Sequence, residues 1–79
     1  MERQEIFEIV KELIVKEMAI DEEKITIDAE FESDLGADSL DAIELIMALE
    51  ERFNIEISEE AGLELKSISD IVDYIEKNI

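Results

Sequence analysis

The sequence predicts an all-α fold: a small four-helix bundle of three longer helices and one short helix, with a long first loop. Three observations predict it. The chain has no proline and only two glycines, so it lacks the turn residues that a strand-rich fold with many tight reversals needs. Apolar residues recur at i, i+3, i+4 and i+7 in separate segments, which is the period of an amphipathic helix. Its 79 residues, 47% of them apolar, suffice for one domain spanning 1–79 and leave no room for a second. A chain of this size buries only about 60–65% of the surface its unfolded form exposes. With no cysteine and no histidine, neither a disulfide nor an ordinary zinc site supplements that packing.

The first helix is expected from Arg3 to Met18, with Ile6, Ile9, Val10, Leu13 and Ile14 on its apolar face and Phe7, Val15 and Met18 widening it. Residues 19–38 form the long connection, in which Ile20, Ile25, Ile27, Phe31 and Leu35 are spaced irregularly and are expected to drape over the helices. Loops beyond ~12–15 residues need internal anchoring or serve a function. Gly36 supplies flexibility just before a strong helix start. The second helix runs from Ser39 to Arg52. The third apolar segment, Ile55 to Leu65, is broken by Gly62 and is expected to hold only a short helical turn or two. The last helix begins after Ser67 or Ser69 and carries Ile68, Ile71, Val72 and Ile75 as its stripe.

The second helix has two apolar faces. At about 100° per residue, Ala42, Leu45, Ile46, Leu49 and Phe53 share one side, enough to build a core. Leu40, Ile43 and Met47 cluster on the other, flanked by Glu44, Glu50 and Glu51. A helix lying centrally would bury both stripes. A domain this small is thin for that arrangement, and the other reading is an exposed apolar patch ringed by carboxylates, suited to a basic partner.

Composition narrows the functions. Twenty-four acids against seven bases give a formal charge of −17, which repels nucleic acid and anionic lipid. No apolar run is long enough to span a membrane, and Met1-Glu2-Arg3-Gln4 lacks the shape of a signal peptide. A cytoplasmic, monomeric protein is expected. The missing His and Cys remove the commonest general base and the commonest thiol nucleophile. An EF-hand counted from Asp34 puts Ser39 where the turn glycine belongs and Leu45 where the bidentate Glu belongs, so that motif fails. Loose divalent binding by Glu30, Glu32, Asp34, Asp38 and Asp41 is left open.

Asp38-Ser39-Leu40-Asp41 opens the second helix. Ser and Asp are both preferred caps, and acids complement the positive end of the helix dipole. Ser39 is therefore either a plain cap or a surface hydroxyl for modification, at a helix end that tolerates an attached phosphate. No His is present to activate it, so any chemistry at Ser39 is performed by another protein.

Leu35-Gly36-Ala37-Asp38-Ser39-Leu40-Asp41, followed by Glu44-Leu45, Met47-Ala48-Leu49-Glu50-Glu51, Phe53-Asn54-Ile55-Glu56-Ile57 and Ile71-Val72-Asp73-Tyr74-Ile75, resembles the bacterial acyl carrier proteins of dissociated (type II) fatty acid synthesis. The resemblance covers essentially the whole chain. It implies that Ser39, with motif neighbours Asp38 and Leu40, carries a 4′-phosphopantetheine arm installed from coenzyme A by a phosphopantetheinyl transferase. Acyl groups would ride on that arm as thioesters, and the protein would perform no catalysis of its own. The resemblance further implies docking of Leu40, Ile43, Glu44, Met47, Glu50 and Glu51 onto basic surfaces of fatty acid synthesis enzymes and acyltransferases. It also suggests an acyl-sheltering cavity beside Leu45, Ile46, Leu49 and Phe31. Carriers of polyketide, aminoacyl or D-alanyl transfer are the nearest alternatives. The chain departs from the family at Ser58, where proline is common, and at Arg52. It departs again in Ala61-Gly62-Leu63-Glu64-Leu65-Lys66, which is unlike the usual acidic short helix.

Overall fold

The computed structural model describes residues 2–79. Four α-helices are present among them: α1 (Arg3–Met18), α2 (Ser39–Phe53), α3 (Glu59–Glu64) and α4 (Ile68–Asn78). A short 3₁₀ turn at Glu22–Lys24 interrupts the first loop. Three longer helices and one short one match the pattern of apolar periods.

Helix α1 packs against both α2 and α4. Its deepest residues, Ile6, Val10 and Ile14, fall every fourth position and are fully buried, while Phe7, Leu13, Val15 and Met18 pack on the core from its margins. The helix stops at Ala19, whose left-handed backbone (φ 51°) aims its N–H at the Val15 carbonyl. Helix α4 buries all of Ile68, Ile71, Val72 and Ile75. Its start is settled by a reciprocal cap: Ser67 Oγ accepts the Asp70 N–H at 3.1 Å, and Asp70 Oδ2 accepts the Ser67 N–H at 3.2 Å. Two orphan donors are satisfied this way, so the helix begins after Ser67 and not after Ser69.

The first loop is anchored at several points. Ile25, Ala29, Phe31 and Ala37 are buried, and Ile20, Ile27 and Leu35 pack against the core, as the irregular apolar spacing led us to expect. Lys11 of α1 holds the 3₁₀ turn through Glu22 at 3.3 Å, pairs with Glu8 at 3.4 Å, and lies 5.4 Å from the centre of the Phe7 ring. The Glu22 carboxylate, seconded by Glu8 and partly opposed by desolvation, raises the Lys11 pKa above its ordinary value. Farther along, the Phe31 N–H donates to the Lys66 carbonyl at 2.8 Å and the Ile68 N–H donates to the Ala29 carbonyl at 3.0 Å. These two bonds make an isolated antiparallel bridge between Glu30 and Ser67, clamping the loop to the start of α4.

The third segment corrects one expectation. Gly62 does not break it but lies inside α3, which Ser58 caps through the Ala61 N–H at 3.1 Å. A Cβ on Gly62 would come within 2.8 Å of Ile46 Cδ1. Glycine is needed there for the close approach of α3 to α2 rather than for a turn.

Candidate modification site and docking face

The start of α2 is built by two aspartates. Asp38 has extended backbone (φ −99°, ψ −175°) and is the cap: its Oδ1 accepts the Asp41 N–H at 3.0 Å, while Asp41 Oδ2 accepts the Asp38 N–H at 3.2 Å. Ser39 is the first helical residue and is exposed. The side-chain hydrogen bonds of this turn run between Asp38 and Asp41 and bypass the Ser39 hydroxyl. The capping role therefore falls to Asp38, and the Ser39 oxygen stays out of the cap. Upstream, Gly36 has the left-handed φ of 67° with nothing within 4 Å of where its Cβ would lie. The next residue, Ala37, is buried and donates its N–H to the Phe31 carbonyl at 3.1 Å. The chain thus dips into the core at Ala37 and re-emerges at Asp38 and Ser39, beside open space at Gly36. The unpaired N–H groups of a helix's first turn and its dipole favour a phosphate ester at this position.

Beyond the start, α2 divides as its two stripes require. Leu45 and Leu49 are fully buried, with Ala42, Ile46 and Phe53 packed partly on the core. Leu40, Ile43 and Met47 are 61%, 55% and 62% exposed, so the helix does not bury both faces. Glu44 and Glu51 are exposed beside them. Glu50 is half-buried, and its Oε2 accepts the Ile57 N–H at 3.0 Å, so it also fastens the turn after the helix.

Two exposed large apolar residues, Leu63 and Ile79, escaped the sequence reading. Leu63 on α3 is 79% exposed. Helical arithmetic contains the signal: Ala61 and Leu65, four apart, face the core, and Leu63 midway between them points about 200° away.

The residues expected along an acyl cavity lie in different settings. Phe31, Leu45 and Leu49 are core residues, whereas Ile46 sits at the seam with α3. Two surface grooves lie elsewhere, one lined by Arg3, Gln4, Phe7, Ile25, Thr26 and Ile27 and the other by Lys11, Asp21, Glu22 and Glu23. Among the described residues no group of three or more acidic, His or Cys side chains is arranged to hold a metal ion. None of their helices is long and apolar enough to cross a membrane.

Comparison with known proteins decides the family. Residues 8–75 match the family described as "Phosphopantetheine attachment site". Over 79 residues the chain is 46% identical to the protein named acyl carrier protein from Guillardia theta, covering 100% of this chain and 98% of that one. The chain belongs to the acyl carrier protein family. As an acyl carrier protein it is a carrier and not an enzyme, and its cofactor is covalent 4′-phosphopantetheine. Its family implies work with a phosphopantetheinyl transferase and with synthesis enzymes. The residues present suit such an arm, because an exposed serine hydroxyl left out of the cap stands at the positive end of α2.

Proposed function

We propose that this chain carries acyl groups through fatty acid synthesis of the dissociated type, with the arm attached at Ser39. The observation that carries the reading is the division of the α2 start: Asp38 and Asp41 satisfy the cap, and the adjacent Ser39 hydroxyl is exposed and unused. When bound, the arm supplies a terminal thiol that takes acyl groups as thioesters, which explains a working chain without cysteine. Ser39 Oγ forms the new bond to phosphorus as its proton leaves to a base of the transferase, since this chain has no histidine. Adenosine 3′,5′-bisphosphate departs from coenzyme A. Leu40, Ile43 and Met47 give a partner apolar contact area, and Glu44, Glu51 and the outer part of Glu50 steer it by charge. Tethering keeps each acyl group at high effective concentration near the enzymes that dock there. The protein acts as a cytoplasmic monomer.

An acyl chain would find shelter by parting Ile46 from Gly62 and entering beside Leu45, Leu49 and Phe31. Medium-chain acylation should then shift the NMR signals of these side chains, and unchanged signals would leave the chain outside.

The attachment is tested by intact mass. Incubation with a phosphopantetheinyl transferase, coenzyme A and Mg²⁺ should add one phosphopantetheinyl increment to the wild type and none to Ser39→Ala. Efficient modification of the alanine variant would overturn the assignment. Loading of the holo protein by a malonyl-transferring enzyme of fatty acid synthesis, in preference to aminoacyl or D-alanyl ligases, tests the pathway.

A further inference from the structure

Leu63 is the most exposed large apolar side chain among the described residues. Helix propensity does not require it, since Ala, Glu or Lys would hold an exposed helical position as well. Its location is informative. Helices α2 and α3 touch where Gly62 meets Ile46, Leu63 follows Gly62 directly, and the exposed Ile43 and Met47 stand three residues before and one residue after Ile46. Apolar surface is therefore left in solvent on both helices within one turn of the seam that joins them. The charge on α3 itself has one sign, with Glu59, Glu60 and Glu64 all exposed and no basic residue, and the first cation beyond it is the exposed Lys66.

We infer that Leu63 is a specificity-determining contact that continues the α2 docking face onto α3; this rests on the carrier reading given above. The occupant is a partner enzyme whose surface sets an apolar recess among Lys and Arg side chains. The glutamates of α3 meet the cations and Leu63 fills the recess. Desolvated apolar anchors inside a charged rim are what hold such interfaces, while the rim governs encounter. A partner with a uniformly cationic surface and no recess would gain nothing from Leu63 and would leave it stranded against charge. Leu63 thus sorts basic partners from one another, which charge alone does not do.

The test uses the full chain and two probe enzymes: a phosphopantetheinyl transferase with coenzyme A, and a malonyl-transferring enzyme acting on the holo form. Leu63→Ala should raise the KM of at least one probe by about 3- to 10-fold with kcat unchanged, because uniform binding is what is lost. The two probes should respond unequally, and Leu63→Met should restore the wild-type KM. Melting curves of both variants should overlay the wild type. KM values within twofold of wild type for both probes would overturn the inference, as would equal rises for both. A dimer seen by sedimentation that Leu63→Ala dissociates would also overturn it, by showing a second copy as the occupant. If the wild type itself takes no phosphopantetheinyl increment, the carrier reading fails. If the wild type is modified and Leu63→Ala behaves identically, only this inference fails.

Discussion

The starts of α2 and α4 use one device to opposite ends. Each is closed by a reciprocal cap between a residue just before the helix and an aspartate three positions on: Asp38 with Asp41, and Ser67 with Asp70. At α4 the cap is the serine, so its hydroxyl is consumed, and the next residue, Ile68, is fully buried. At α2 the cap is an aspartate, and the next residue is an exposed serine. Structural and chemical duties compete for a hydroxyl, and at α2 the cap falls to Asp38, which leaves the adjacent Ser39 hydroxyl outside it. A serine at a helix start is therefore read correctly only together with the residue before it.

Substitution of the residue that follows each cap should separate the two starts most strongly. Ile68→Ala removes a fully buried side chain and should cost ~2–5 kcal/mol, measured by urea unfolding. A loss below ~1 kcal/mol would mean that the α4 start is not fixed by its packing. The caps themselves come next. Ser67→Ala and Asp38→Ala should each cost ~1 kcal/mol, equal within error if the two boxes are equivalent. A much larger loss at Asp38 would show that it supports more than the first turn. The smallest effects are expected on the exposed side of α2. Ser39→Ala, Ile43→Ala and Met47→Ala should each stay within ~0.5 kcal/mol of wild type, although on the proposed assignment the first should lose modification altogether. A loss of ~1 kcal/mol or more in Ser39→Ala would return the capping role to the serine and undo the contrast.

Local pattern made much of the fold readable. The stripes of α1 and α4 have the helical period, and Ile6, Val10 and Ile14 with Ile68, Ile71, Val72 and Ile75 are all buried. The two faces of α2 were also visible as spacing, and solvent exposure then separated Leu45 and Leu49 from Leu40, Ile43 and Met47. What escaped depends on contacts between distant residues. Gly62 looks like a breaker in its own segment, and only the position of Ile46, sixteen residues earlier in the sequence, shows why it is small. Glu50 reads as a surface acid until the turn after α2 brings the Ile57 N–H onto it. The choice between Asp38 and Ser39 as the cap hinged on backbone geometry, since both side chains are competent.

The bridge between Glu30 and Ser67 bears on how the molecule opens and closes. Phe31 donates its N–H to Lys66 and accepts at its carbonyl from Ala37, the residue just before Asp38. A short relay of peptide groups therefore runs from the cap of α4, through one loop residue, to the cap of α2. Amide exchange in such a segment should follow that of α4's first turn and not the fast exchange usual for loops, because cooperative units open together. The serine's surroundings would then loosen only when the far end of the sequence loosens, which couples readiness for modification to completion of the fold.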